Sequence, residues 1–135
     1  MPQPQYPTDQ GLWSQGTRPE KDYQRVKLGL PFARAVENLR DLLRGGFVEA
    51  VGRGFDFSRD ERVLNMLAGA LYQLALTEPE GERRRLLDEA RDLYLRSLEL
   101  DPEGLAAHYG LARVFGALDE SDKARHHADL YGYYK

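Results

Sequence analysis

The chain contains no cysteine. That excludes a disulfide, a thiolate-held zinc, a covalently attached haem and a cysteine nucleophile. It also lacks a surplus of basic charge: 19 lysines and arginines stand against 22 aspartates and glutamates, for a formal net charge of -3. With no overall positive field to draw in a phosphate backbone, nucleic acid is not expected as a partner. No apolar run approaches the length that spans a bilayer, so direct membrane insertion is not expected either. The opening residues MPQPQYPTDQGLW lack the charged start and apolar stretch of a secretory signal, which favours the cytoplasm. No segment reads as a strand, and no glycine-rich phosphate loop follows one. No serine has a nucleophile-elbow context, since Ser97 falls at a helix-packing position and Ser121 in a turn. The carboxylates lie on charged helix faces, where solvated side chains are the ordinary explanation. The expectation is a non-catalytic chain with no cofactor and no metal of its own.

What is present suits one soluble domain with a tail: 135 residues, 41% hydrophobic and 30% charged. Residues 1–31 carry Pro2, Pro4, Pro7, Pro19 and Pro31 with Gly11, Gly16 and Gly29, and no sustained period. An extended arm is expected there. Tyr6, Trp13 and Tyr23 make it more aromatic than a simple linker, which points to docking on its own domain or on another protein. The alternative is a leader with one incidental tryptophan.

From Phe32 the spacing becomes helical. Phe32, Val36, Leu39, Leu42 and Leu43 share one face until Gly45 and Gly46 end the run. A second segment with Phe47, Val48, Ala50 and Val51 completes a hairpin over 32–57. A third helix, capped by Asp60, buries Val63, Leu64, Leu67, Ala68, Leu71, Leu74 and Ala75. Glu78-Pro79 restarts the chain as a fourth helix through Leu86, Leu87, Ala90, Leu93, Tyr94, Ser97 and Leu98. Asp101-Pro102 stops it, because proline lacks the amide that would continue the ladder. A fifth helix holds Leu105, His108, Leu111, Ala112, Phe115 and Leu118, and a sixth holds Ala124, His127, Ala128, Leu130 and Tyr131. The domain expected over 32–135 is all-α, a set of antiparallel helix hairpins.

Two of these hairpins can be laid over each other. Leu64, Leu67, Ala68, Leu71, Ala90, Tyr94, Ser97 and Pro102 fall where His108, Leu111, Ala112, Phe115, Ala124 and Ala128 recur in the next pair. This pattern resembles the tetratricopeptide repeat, a unit of roughly 34 residues with small residues where its helices cross and a proline closing the second helix. The resemblance implies a short right-handed solenoid: a degenerate repeat or cap at 32–57, a repeat at 60–102 and another at 105–135. The middle unit exceeds the family length by about three helical turns around Pro79. The strings RVLNMLAGALYQLA and LDPEGLAAHYGLARVFGALDESDKARHHADLY are similar to terminal repeats of the kind joined to multihaem c-type cytochromes. That likeness implies an accessory subunit of an electron-transfer assembly outside the cytoplasm, with the haem on another chain.

In the family the first helix of each pair lines a concave groove. The matching positions here are Arg62, Asn65, Gly69, Tyr72 and Gln73, then Ala106, Tyr109, Arg113 and Gly116. Arginine and tyrosine on such a face suit an extended peptide of some acidic character. Met66 and Gly110 stand where the family's carboxylate clamp needs lysine and asparagine, which argues against a chaperone-type tail. The alternative is a merely solvated face. The histidines read first as structural: His108 sits at a packing position, and the adjacent His126 and His127 point about 100° apart, unlike an i,i+4 metal pair. A histidine offered to a neighbouring chain's haem is the weaker alternative. The end LYGYYK leaves Tyr131 and Tyr134 on a flank with no further helix, an edge expected to meet the arm, a second copy in a homo-oligomer, or another subunit.

Overall fold

The computed structural model describes residues 19–44 and 59–135, and every regular element among them is helical. The helices are α1 (Pro19–Leu43), α2 (Glu61–Ala75), α3 (Glu80–Leu100), α4 (Leu105–Ala117) and α5 (Ser121–Tyr134). The expected segment over 47–57, like Tyr6 and Trp13 of the arm, lies outside the described residues.

The arm expected over 1–31 is corrected from Pro19 onward. Helix α1 begins there and runs through Gly29 and Pro31, so it starts well before the expected Phe32 and includes Tyr23. Proline is tolerated in the first turn, where its missing amide has no partner to lose. Gly29 is not a breaker but a place of close approach: a Cβ there would lie 2.9 Å from Thr77 Oγ1 and 3.5 Å from Leu74 Cδ1. Packing against α2 overrides the local preference, as tertiary contacts commonly do.

The remaining boundaries follow local chemistry. Asp60 caps α2 by accepting the Arg62 amide at 2.9 Å. Burial pushes the Asp60 carboxyl up, but the amides of Arg62 and Val63 and the Arg62 side chain together pull it below its usual value. At the other end of α2, Arg83 Nε donates to the Ala75 carbonyl at 3.2 Å and Thr77 Oγ1 donates to that of Leu74 at 2.7 Å. These bonds satisfy carbonyls that a helix terminus leaves open. Pro79 precedes α3, whose first turn carries Glu80 and Glu82, the favourable sign for that end of the helix. Between α4 and α5, Asp119 takes a φ of 63° while the Glu120 amide donates to the Phe115 carbonyl at 2.9 Å. That is a Schellman closure with aspartate where glycine is usual.

Consecutive helices pack in chain order, and α2 also meets α4. Arg83 reaches Ala75 while Tyr94 lies against Gly69, so α2 and α3 run antiparallel. By the same reasoning α4 and α5 are antiparallel, with Phe115 beside His127 and His108 beside Tyr134. The core is formed by Leu64, Leu67, Ala68, Leu71 and Ala75 of α2, Leu86, Leu87, Ala90, Leu93 and Tyr94 of α3, Ala107, Leu111, Val114 and Phe115 of α4, and Val36 of α1. The Arg40 guanidinium of α1 holds Glu89 of α3 through two hydrogen bonds, with Nε to Oε2 at 3.1 Å. Tyr94 fits between two glycines: a Cβ on Gly69 would be 3.4 Å from its hydroxyl, and one on Gly110 would overlap its ring at 2.1 Å. Its phenol is pushed above its usual pKa by burial. Helix α5 differs from the rest in having no fully buried residue. Ala124 packs partly against the core and Ala128 is exposed.

Candidate functional site

Arg113 projects from α4 between two tyrosines. Its guanidinium carbon lies 4.3 Å from the ring centre of Tyr72 on α2 and 5.0 Å from that of Tyr109 on its own helix. Tyr131 of α5 lies beside Tyr109 with ring centres 5.5 Å apart. Three helices thus supply one continuous strip of rings around a cation. Arg113 and Tyr109 are four residues apart and so share a helix face, while the packing of α2 on α4 brings Tyr72 over from the other side. Each face-on contact of this kind contributes about 0.5–1 kcal/mol where water still reaches it.

No carboxylate compensates the charge of Arg113 among the described residues. Among the described residues the partly buried Arg40 is paired with Glu89 and Arg91 with Asp88 and Asp92, whereas the ion pairs include none to Arg113. Among the described residues its Nε is buried without a hydrogen-bond partner, as is Asn65 Oδ1 on α2. A buried donor left unpaired costs about 1–3 kcal/mol. The fixed, weakly hydrated guanidinium is shaped for a carboxylate.

The other expected groove residues contribute unequally. Asn65 and Gln73 are partly buried on α2, and Arg62 is exposed at the helix start, leaning 3.6 Å from Asp60. Tyr109 is 47% exposed and forms the open rim of the strip. Gly69 and Gly110 serve as seats for Tyr94. Of the expected C-terminal edge, Tyr131 and Tyr134 turn inward onto Tyr109 and His108, while Tyr133 is 80% exposed.

The histidines form a second constellation. His108 is buried, and its Nε2 lies 2.9 Å from the Pro102 carbonyl, which can only accept, so Nε2 carries the proton. In the neutral ring its Nδ1 is then the acceptor, and the His127 Nδ1 opposite it at 3.0 Å is the donor. The ring centres are 5.3 Å apart and the planes 27° from parallel. That separation is what a 3.0 Å gap between nitrogens leaves when two imidazoles meet head-on, so the contact is an in-plane N–H···N bond with no room for an ion. Phe115 stacks on the face of His127 at 5.7 Å. Burial first, then the imidazoles of His108 and His126, hold His127 well below the usual histidine range, at about 4. Among the described residues no three potential ligands gather as a metal site.

A cavity of about 300 Å³ beside α1 is bordered by Val36, Glu37, Arg40, Asp41, Arg44 and Leu74. Both of its arginines are already engaged, Arg40 with Glu89 and Arg44 with Asp41.

No family model matches the chain, and no curated protein or solved structure matches it.

Proposed function

We propose that this chain is a non-catalytic protein-interaction module of tetratricopeptide-like hairpins. In this reading it holds an extended acidic segment of a partner and serves as an accessory subunit of a larger complex. The observation that carries the reading is Arg113, a cation fixed between Tyr72 and Tyr109 with no carboxylate paired to it among the described residues. An aspartate or glutamate of the partner would complete the ion pair, and Tyr109 and Tyr131 would offer flat contact area to the residues beside it. A fluorescein-labelled acidic peptide, compared with its glutamine-substituted counterpart, tests this. Anisotropy should rise with the acidic peptide alone, and Arg113→Gln or Tyr109→Ser should abolish the rise. Equal binding of the neutral peptide would sink the reading.

A second reading, the accessory subunit of a cytochrome-containing electron-transfer assembly, is supported by the likeness of the strings quoted above. Native purification from the source organism tests it: a haem absorption band in the same fraction would support it, and a colourless complex would count against it.

A further inference from the structure

Among the described residues, helix α5 is held least by apolar burial. It packs on α4, and no residue of it is fully buried. What fixes it is a row of rings along one face, His127, Tyr131 and Tyr134, spaced as helical neighbours and set against Phe115, Tyr109 and His108. At the N-terminal end of that row lies the one side-chain hydrogen bond between the two helices among the described residues, His127 Nδ1 to His108 Nδ1.

That bond has a fixed proton count. His108 is tied through Nε2 to the Pro102 carbonyl, so the head-on pair holds a single hydrogen between its facing nitrogens. Another proton must go either between two N–H groups that then point at each other, or onto the outer nitrogen of His127. The first sets two donors against each other, and the second puts a positive charge on a partly buried ring packed against Phe115 and His108, with His126 beside it. The groups around His127 are His108 and Phe115 from α4 and, from α5 itself, His126 and Lys123. The Lys123 ammonium lies 5.5 Å from the centre of the Phe115 ring that His127 also stacks on. The carboxylate nearby, Glu120, is engaged with Lys123 at 3.0 Å, and no ion pair reaches His127 among the described residues.

We propose that α5 is a proton-released clamp on the tyrosine-arginine face: acidification undocks α5 from α4 and withdraws Tyr131 from Tyr109, leaving the face complete at neutral pH and incomplete in mild acid. The consequence for binding rests on the function proposed above; the undocking of α5 does not. Once undocked, His127 returns to ordinary solvation and takes up the proton that its docked position disfavours, so docking and protonation exclude each other. For one proton, the docking equilibrium shifts by at most about tenfold per pH unit.

Amide hydrogen exchange of the full chain near neutral pH and in mild acid tests this, with α5 read relative to α2 in the same sample so that the intrinsic pH dependence of exchange cancels. The expected result is that α5 loses protection relative to α2 on acidification, by up to about tenfold per pH unit. His127→Asn keeps an N–H donor for His108 but does not titrate, and should abolish the loss; His126→Asn, at an exposed position, should retain it. A wild-type ratio that stays constant overturns the proposal without reference to any variant, as does an equal loss in His127→Asn. In parallel, the labelled acidic peptide should bind more weakly to the wild type in acid but not to His127→Asn. A peptide that binds at neither pH removes the functional half of the proposal and the groove reading with it, while the exchange result still decides the undocking.

Discussion

Tyr94 lies on the bare backbone of Gly110: a Cβ there would fall 2.1 Å from the ring's Cζ and within 2.6 Å of both Cε atoms. The ring is also 4% exposed and its hydroxyl abuts Gly69, so it has little room to withdraw. Gly110→Ala should therefore destabilise the protein by about 1–3 kcal/mol or more, although alanine is the better helix former. Urea unfolding checks this. Combining Gly110→Ala with Tyr94→Leu should recover part of the loss, because the two positions share one contact.

The α2 cap offers a smaller and cleaner test. Asp60→Ala should cost about 1 kcal/mol, and Asp60→Ser should restore most of it, since a serine oxygen can accept the same amide. An alanine variant with wild-type stability would mean that the 2.9 Å bond from the Arg62 amide contributes nothing net.

Arg113 should separate stability from binding. Arg113→Met removes two ring contacts but also an unpaired buried Nε, so the unfolding free energy should change by less than about 1 kcal/mol. Affinity for the acidic peptide should fall at least tenfold, about 1.4 kcal/mol or more. A large loss of stability would recast Arg113 as a structural residue.

The pH dependence has a definite sign. The folded state holds His127 at about 4, below the ordinary value of 6.5, so between those values the unfolded chain binds a proton that the folded chain does not. The contribution of this group to stability is present in full above about 6.5, declines as the pH falls toward 4, and then levels off. Urea midpoints across that interval should fall with acid, more steeply in the wild type than in His127→Asn. Ring-proton resonances of His127 should titrate near 4 in the folded protein.

The sequence reveals α2, α3 and α4 almost completely, because each is bounded by a residue with one mechanical meaning: Asp60 as a cap, Pro79 as a restart, Asp101-Pro102 as a stop. It hides the true start of α1, since Gly29 reads as a breaker until Thr77 is seen beside it. That Tyr109 and Arg113 share a face is legible from helical spacing, but the approach of Tyr72 from α2 and the lack of a paired carboxylate among the described residues are not, because such contacts are settled in space. The His108–His127 bond joins residues 19 positions apart on different helices, a separation with no local signature. Single histidines and adjacent pairs can be weighed in a sequence; a head-on meeting across a hairpin requires the fold.

The seat of Tyr94 also bears on how the chain is made. Helices that pack mainly on their immediate successors need few long loops to close, which favours rapid folding. As the chain leaves a ribosome, α2 and α3 can pair as soon as both have emerged, but the side of Tyr94 that faces Gly110 stays uncovered until α4 follows. Translation therefore passes through an interval in which the nascent hairpin displays an unfilled aromatic surface, and that interval is the window in which a chaperone would have something to hold.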